Sequence, residues 1–212
     1  LWYSHKNNPL KRPEAFSLEK AAEISSVIDR ELQKRSLKHH RVGHGWTCSV
    51  LGQNTLGWVP SDTTLTKEQE NMTALIDGKR GFFQGIPINT NLCYSNPDVI
   101  ASFAEKVTAY AMLHPEVDYL HVWLADASNN HCECDTCKKH LPSDLYVHIL
   151  NEIDRALTQK QLDTKIVFLI YEELLWAPIE EKLLHPHRFV MMFAPISRTF
   201  LQSYEIPEQL PA

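Results

Sequence analysis

The 212-residue chain has no long apolar run. Its longest uncharged apolar stretches, Ile166–Tyr171 and Phe189–Ile196, fall far short of the roughly 20 residues that cross a bilayer. No helix of this chain is therefore expected to span a membrane, and no membrane partner is expected. A basic surface is also missing: 21 Lys and Arg face 26 Asp and Glu, for a net charge of −5. The short basic clusters at Lys11–Arg12, Lys38–Arg41 and Lys138–Lys139 have acids close by. Nucleic-acid binding, which needs phosphate-neutralising cations gathered on one surface, is disfavoured. Seven glycines and 12 prolines give no collagen-like or low-complexity signal. No phosphate-cradling G-x-x-x-x-G-K, no G-x-G-x-x-G and no G-x-S-x-G occurs, which argues against nucleotide-binding and serine-hydrolase chemistry. The opening LWYSHKNNP has no basic segment followed by an apolar one, so a secretory leader is not expected. The compartment, cytoplasmic or secreted, stays open.

What remains is the composition of an ordinary globular protein, with 43% hydrophobic and 22% charged residues, and a length suited to one domain or a large piece of one. The apolar pattern alternates between helix and strand. Residues Ser17–Arg35 carry Leu18, Ala21, Ile24, Ile28 and Leu32 at helical spacing, with Ser17 as N-cap. A strand-like stretch, Lys38–His44, follows. Gly45–Tyr94 then reads as one long loop-rich region holding most of the glycines, and a loop of that length is more often functional than idle. Asn96 and Pro97 open a helix running to His114. Val117–Ala125 reads as a buried strand. A helix capped by Ser143 carries Leu145, Ile149, Ile153, Ala156 and Leu157 on one face. Lys165–Tyr171 is the next strand, Ile179–Leu184 a short helix, and Phe189–Ala194 the last strand, with a further strand-like stretch at Leu1–Tyr3.

This rhythm predicts an α/β fold with a parallel sheet. A closed (β/α)8 barrel needs about 250 residues, so residues 1–212 read as a single TIM-barrel-like domain in partial form. A small open α/β sheet is the alternative. In such folds chemistry collects where strands end. The polar residues at those places are His39, His40, His44 and Trp46, then Asp126, Ser128, Asn129, Asn130 and His131, then Tyr171, Glu172, Glu173 and Trp176, then Ser197 and Arg198. Carboxylates that grip hydroxyls and aromatic faces that stack on C–H surfaces suit a sugar. The opposing reading is that any four loops contain such residues. Asp126 ends an apolar strand, where desolvation is expected to raise its carboxyl toward general-acid use. A backbone-capping role is the ordinary alternative. Glu172 and Glu173 are adjacent, so only one can face the same site.

The cysteines give the most specific local signal. Cys132, Cys134 and Cys137 form C-x-C-x2-C, and Cys93 or His131 would complete a tetrahedral zinc shell. Such a zinc would be structural, with no cofactor needed for catalysis. A disulfide or free thiols are the other readings.

Four stretches occur in a recognisable order: ALIDGKR (Ala74–Arg80), NLCYSNPDV (Asn91–Val99), D-x5-C-x-C-x2-C (Asp126–Cys137) and SDLYVHILNEI from Ser143. In this the chain resembles a largely uncharacterised bacterial family of glycosidase-like TIM-barrel domains, a domain of unknown function distantly similar to hexosaminidase and α-glucuronidase barrels. The resemblance covers roughly Arg41 to Arg198. It implies a glycoside hydrolase acting on an N-acetylhexosaminide or a uronide. Asp126, Glu172 and Glu173 would be the catalytic carboxylates, and His44, Trp46, Asn129, Tyr171, Trp176 and Arg198 the substrate contacts. Hexosaminidase-like barrels often place two adjacent acids at the fourth strand end. Here Ala127 follows Asp126, so the second carboxylate would come from Glu172 or Glu173. The competing readings are a non-catalytic carbohydrate-binding or scaffold segment, which a second copy of the chain would complete as a homo-oligomer, and a metal or redox module centred on the cysteines.

Overall fold

The computed structural model describes residues 17–53, 57–196 and 201. The strand expected at Leu1–Tyr3 and the contact residue Arg198 lie outside them. The chain divides into two compact units, Leu1–His39 and His40–Ala212.

The first unit holds helix α1, Leu18–Lys34. Ser17 caps it as expected, its hydroxyl accepting the Lys20 N–H at 3.2 Å. Ion pairs such as Lys20–Glu23 (2.8 Å) and Lys34–Glu31 (2.7 Å) line its exposed surface.

The second unit is built on four parallel strands, β1 (His40–Gly43), β2 (Tyr119–Val122), β3 (Lys165–Ile170) and β4 (Phe189–Phe193), in the spatial order β1-β2-β3-β4. The α/β expectation with a parallel sheet holds. Among the described residues the sheet is open, with β1 and β4 at its edges. The register sets His40 beside Tyr119, Tyr119 beside Lys165, and Ile166 beside Phe189.

Two long helices cover one face, α4 (Pro97–Leu113) and α5 (Pro142–Gln159). Side chains alternate along a strand. Leu120 and Val122 of β2 and Ile166 and Phe168 of β3 therefore meet Phe103 and Val107 of α4 and Ile149, Ile153 and Leu157 of α5 in one apolar core. Each fully buried side chain of this size contributes about 1.5–3 kcal/mol. Tyr119 and His121 alternate to the opposite face and stay half-buried.

Several boundaries differ from the sequence reading, each for a local reason. Pro97 stands at the start of α4 with Asn96 as cap, as its sequence implies. In α5 the cap is Leu141 rather than Ser143, because Pro142, which has no N–H to lose, already occupies the first turn. β1 stops at Gly43, where the backbone turns left-handed: Val42, Gly43 and Gly45 have φ of 68°, 138° and 117°. Gly45–Tyr94 is not one loop, since it contains the helices α2 (Trp46–Val50) and α3 (Lys67–Met72). α3 is closed by a capping box in which Thr66 and Gln69 exchange side-chain and backbone bonds.

The helix expected over Ile179–Leu184 does not form. Its N–H groups are taken by α5 side chains instead: Asp144 accepts from Glu180 and Glu181 at 2.8 and 2.9 Å, and Asn151 accepts from Leu184 at 3.1 Å. β4 is the least covered strand, with Val190, Met191, Met192 and Phe193 all exposed.

Candidate functional site

The loop after β2 carries Asp126 past the buried residues Leu124 and Ala125. Two side chains far away in sequence hold its carboxylate. The Tyr171 hydroxyl, just after β3, donates to Oδ1 at 3.1 Å, and the Trp58 indole N–H donates to Oδ2 at 2.6 Å. His44 Nε2 stands 3.7 Å from Oδ1. Its Nδ1 donates to the Leu124 carbonyl at 2.7 Å. A carbonyl only accepts, so Nδ1 carries the proton and Nε2 is the nitrogen turned to the carboxylate. Ala127 and Asn129, with φ of 76° and 55°, fold the loop back tightly, a strain typical of residues held by their surroundings.

The electrostatics of Asp126 reverse the expected direction. Burial works to raise its carboxyl. The Ala127 N–H, the charge at His44 and the bonds from Trp58 and Tyr171 together outweigh it, and the carboxyl lies below the ordinary aspartate value. Asp126 is thus ionised at neutral pH. It suits a base, a nucleophile or a charge-stabilising group rather than the general acid read from desolvation alone. Tyr171 goes the other way: burial and then the neighbouring Asp126 carboxylate push its phenol far up, so it remains a donor.

The remaining residues read from the sequence separate into groups. Glu173 is engaged, its Oε1 accepting the Asn129 N–H and its Oε2 lying 4.0 Å from His131 Nε2. Glu172, half-buried with φ of 47°, begins the turn after Tyr171. Glu173, Asn129 and His131 line a cavity of about 310 Å³ together with Cys132, Lys138 and His140. Trp176 is exposed.

Trp46 is not a surface platform. It is 4% exposed, donates to the His121 carbonyl at 2.9 Å and packs edge-on against Tyr110 in the core. The sequence reading missed Trp58, whose partner lies 68 residues away. Trp123 packs edge-on against His44, with ring centroids 5.0 Å apart. Its ring also lies 3.2 Å from where a side chain on Gly43 would begin. The period-two spacing of His121 and Trp123 was the available signal.

The second centre is the cysteine cluster. Cys93, Cys132, Cys134 and Cys137 bring their sulfurs within 4.8 Å of one another. Cys93 Sγ lies 3.7 Å from Cys134 Sγ and 3.9 Å from Cys137 Sγ. Those spacings exclude a disulfide bond, whose S–S distance is about 2.05 Å, and the thiols are free. They match the edge of a tetrahedron about 3.8 Å long, which four Zn–S bonds of about 2.3 Å would define. Cys93, rather than His131, is the fourth member.

The surroundings fit a cation. The N–H groups of Leu75 and Cys137 donate to Cys132 and Cys134 sulfurs at 3.3 and 3.4 Å. The Arg80 guanidinium interacts with Cys93 and with the charges of Cys132 and Cys134. Hydrogen bonds from Cys132 and Cys137 hold the Cys93 thiol far below its ordinary range, whereas Cys132 and Cys93 push that of Cys137 far up. Four sulfurs this close cannot all ionise without a positive charge among them. These four cysteines can bind a metal ion. Cys48, by contrast, is buried away from the cluster and pushed up to about 11, a protonated and unreactive thiol.

The fold brings these sequence stretches together around the cysteines. Ala74–Arg80 forms a tight turn, bridged between Ile76 and Lys79, beside the Cys93 segment. Ala74 N–H donates to Asn91 O at 2.9 Å and Glu133 N–H to Leu75 O at 2.8 Å. Leu145 of α5 packs against the cluster as well.

No curated protein and no solved structure matches the chain. Residues 22–209 match a family described as Domain of unknown function (DUF4838). That span takes in α1 beyond its first four residues, all four strands, Asp126 and the four cysteines, and the chain therefore belongs to this family.

Proposed function

We propose that this domain is a glycoside hydrolase that acts on a glycan or glycoside, an N-acetylhexosaminide or a uronide, by carboxylate catalysis. The observation that carries the reading is the Asp126 carboxylate, ionised at a strand end and held by Tyr171 and Trp58 beside His44 and Trp123. Tyrosine and indole donors around a carboxylate, with aromatic faces next to it, suit a ligand that is hydroxylated on its edges and C–H on its faces. Asp126 acts as base or nucleophile. Glu172, from the next strand end, is the second carboxylate, because Glu173 is committed to the Asn129 N–H.

The sequential strand order supports placing these residues in a (β/α)8-type barrel. A doubly wound sheet reverses direction at a switch point, whereas β1-β2-β3-β4 runs one way. The uncovered β4 residues fit a strand with further neighbours in such a barrel.

The four cysteines hold one structural zinc. Four cysteine sulfurs at tetrahedral spacing select a soft cation. Catalysis runs without it as a reactant.

The test is a screen of the chain against chromogenic N-acetylhexosaminides and uronides, with Asp126→Asn alongside. Hydrolysis by the parent and not the variant supports the enzyme. Hydrolysis by both removes Asp126 from the mechanism. Sugar binding without turnover makes the domain a carbohydrate-binding module. Metal analysis of the reduced protein should give about one zinc per chain, and none would return the cysteines to free thiols.

A further inference from the structure

We propose that the four-cysteine centre sets the position of the loop bearing Asp126, with Asn91 and Asn130 as the positioning residues that connect the two. The inference rests on the zinc reading given above and adds to it a consequence for the carboxylate.

The connection is a short, closed set of hydrogen bonds. Asn91 and Asn130 are each 1% exposed. Asn91 Nδ2 donates to Asn130 Oδ1 at 2.8 Å. Asn130 Nδ2 gives its two protons to the carbonyls of Asn89 and Asp126, at 2.7 and 2.6 Å. Asn91 Oδ1 accepts from the Tyr94 hydroxyl at 2.8 Å and from the Ala125 N–H at 3.2 Å. Asp126 N–H in turn donates to the Ile88 carbonyl at 3.1 Å. Asp126 is thus gripped on its N–H and its carbonyl, and the residue before it on its N–H. These three backbone grips come from the Ile88–Asn91 segment and from Asn130.

Both carriers sit two residues from a cysteine of the cluster, Asn91 before Cys93 and Asn130 before Cys132. The two segments meet at the cysteines through sulfurs, with backbone bonds reaching them by way of Met72–Leu75. An apolar core of this kind is small. Ala74, Cys93, Cys132 and Cys137 are its buried members. Cross-linking Cys93 to the C-x-C-x2-C loop through one cation would therefore fix the separation of Asn91 and Asn130, and with it the Asp126 backbone. Removing the cation leaves a cluster of mutually repelling sulfurs at the same place. The buried amide pair then loses the restraint that keeps its exacting geometry satisfied.

The experiment uses the full chain under reducing conditions. Zinc content is measured first, then zinc is removed with a chelator and restored. Hydrogen–deuterium exchange is followed over residues 124–131, and the Asp126 carboxyl is titrated by carbon NMR, with Asp126→Asn assigning the signal. On zinc removal, exchange over 124–131 should quicken by about tenfold or more while Ile149–Leu157 of α5 stays protected. The Asp126 titration should also move up toward the ordinary aspartate value, and restored zinc should reverse both. Asn130→Ala should keep its zinc yet show the fast loop and the raised titration, which a merely structural loss would not confine to this carboxyl. If Asn130→Ala does not fold, the chelation series decides alone.

Loss of zinc with unchanged exchange over 124–131 overturns the proposal, as does a uniform loss of protection across the unit. A chain that takes up no zinc overturns it too. In that case the failure lies with the metal reading, because zinc content is measured independently of the loop.

Discussion

Tyr171 donates its phenol hydroxyl to Asp126 Oδ1 at 3.1 Å and so joins the end of β3 to the end of β2. The bond is to the charged form of the carboxyl. Tyr171→Phe removes a donor that favours ionisation, so the Asp126 carboxyl should titrate at higher pH. The folded carboxyl lies below its unfolded value, so its stabilising contribution is present at neutral pH and is lost as pH falls through the folded pKa. In Tyr171→Phe that loss should still begin near the unfolded carboxyl's pKa but be smaller and complete at a higher pH, and stability at neutral pH should fall by about 1 kcal/mol for this partly exposed group. Urea unfolding across a pH series checks the stability, and carbon NMR checks the titration. An unmoved titration would show that Trp58, His44 and the Ala127 N–H hold the charge without Tyr171.

Arg80 places a fixed positive charge beside Cys93, Cys132 and Cys134. Four thiolates around one divalent ion carry a net charge of −2, which Arg80 partly offsets. Arg80→Ala should weaken zinc binding by about tenfold, measured by competition with a chromogenic chelator. Arg80→Lys should recover part of the loss if charge is the cause. Equal affinities in all three proteins would assign Arg80 to its other bond, donated to the Thr73 carbonyl.

Gly43 has a φ of 138° and faces the Trp123 ring, 3.2 Å from where a Cβ would lie. Gly43→Ala meets both a strained backbone and a ring that must shift. The expected loss is about 1–3 kcal/mol, read from the denaturation midpoint. Gly81→Ala is the control, since its φ of 141° carries the same backbone strain but nothing lies within 4 Å. The difference between the two variants isolates the contact with Trp123.

Arg188 and Asp154 form a buried ion pair between the start of β4 and α5, with Nε donating to Oδ1 at 2.8 Å. Arg188 also caps the carbonyls of Leu162 and Thr164, and His185 Nδ1 meets the other Asp154 oxygen at 2.6 Å. Arg188→Met leaves a buried carboxylate without its main partner, at a cost of about 3–5 kcal/mol. Asp154→Asn combined with Arg188→Met should recover part of that stability. A single variant as stable as the parent would show that His185 alone satisfies Asp154.

The sequence by itself determined the elements whose signals are local. Apolar residues at helical spacing gave α1, α4 and α5, because one face of each helix follows from 3.6-residue periodicity. The run Lys165–Tyr171 gave β3 because a strand covered on both sides is apolar throughout. Asp126 could be singled out as a lone acid ending an apolar strand, and C-x-C-x2-C because three soft ligands lie within six residues. Tertiary structure decided everything that depends on who sits opposite. It chose Cys93 over His131, buried Trp46, brought Trp58 to Asp126 across 68 residues, and dissolved the expected Ile179–Leu184 helix by turning its N–H groups toward Asp144 and Asn151. It also reversed the electrostatics of Asp126. Desolvation can be inferred from apolar neighbours in sequence, but what outweighs it is the Ala127 N–H together with the charge at His44 and the donors Trp58 and Tyr171, which lie on three other segments. A carboxyl's charge state is set by the sum of what surrounds it in space, and spacing along the chain supplies only one part of that sum.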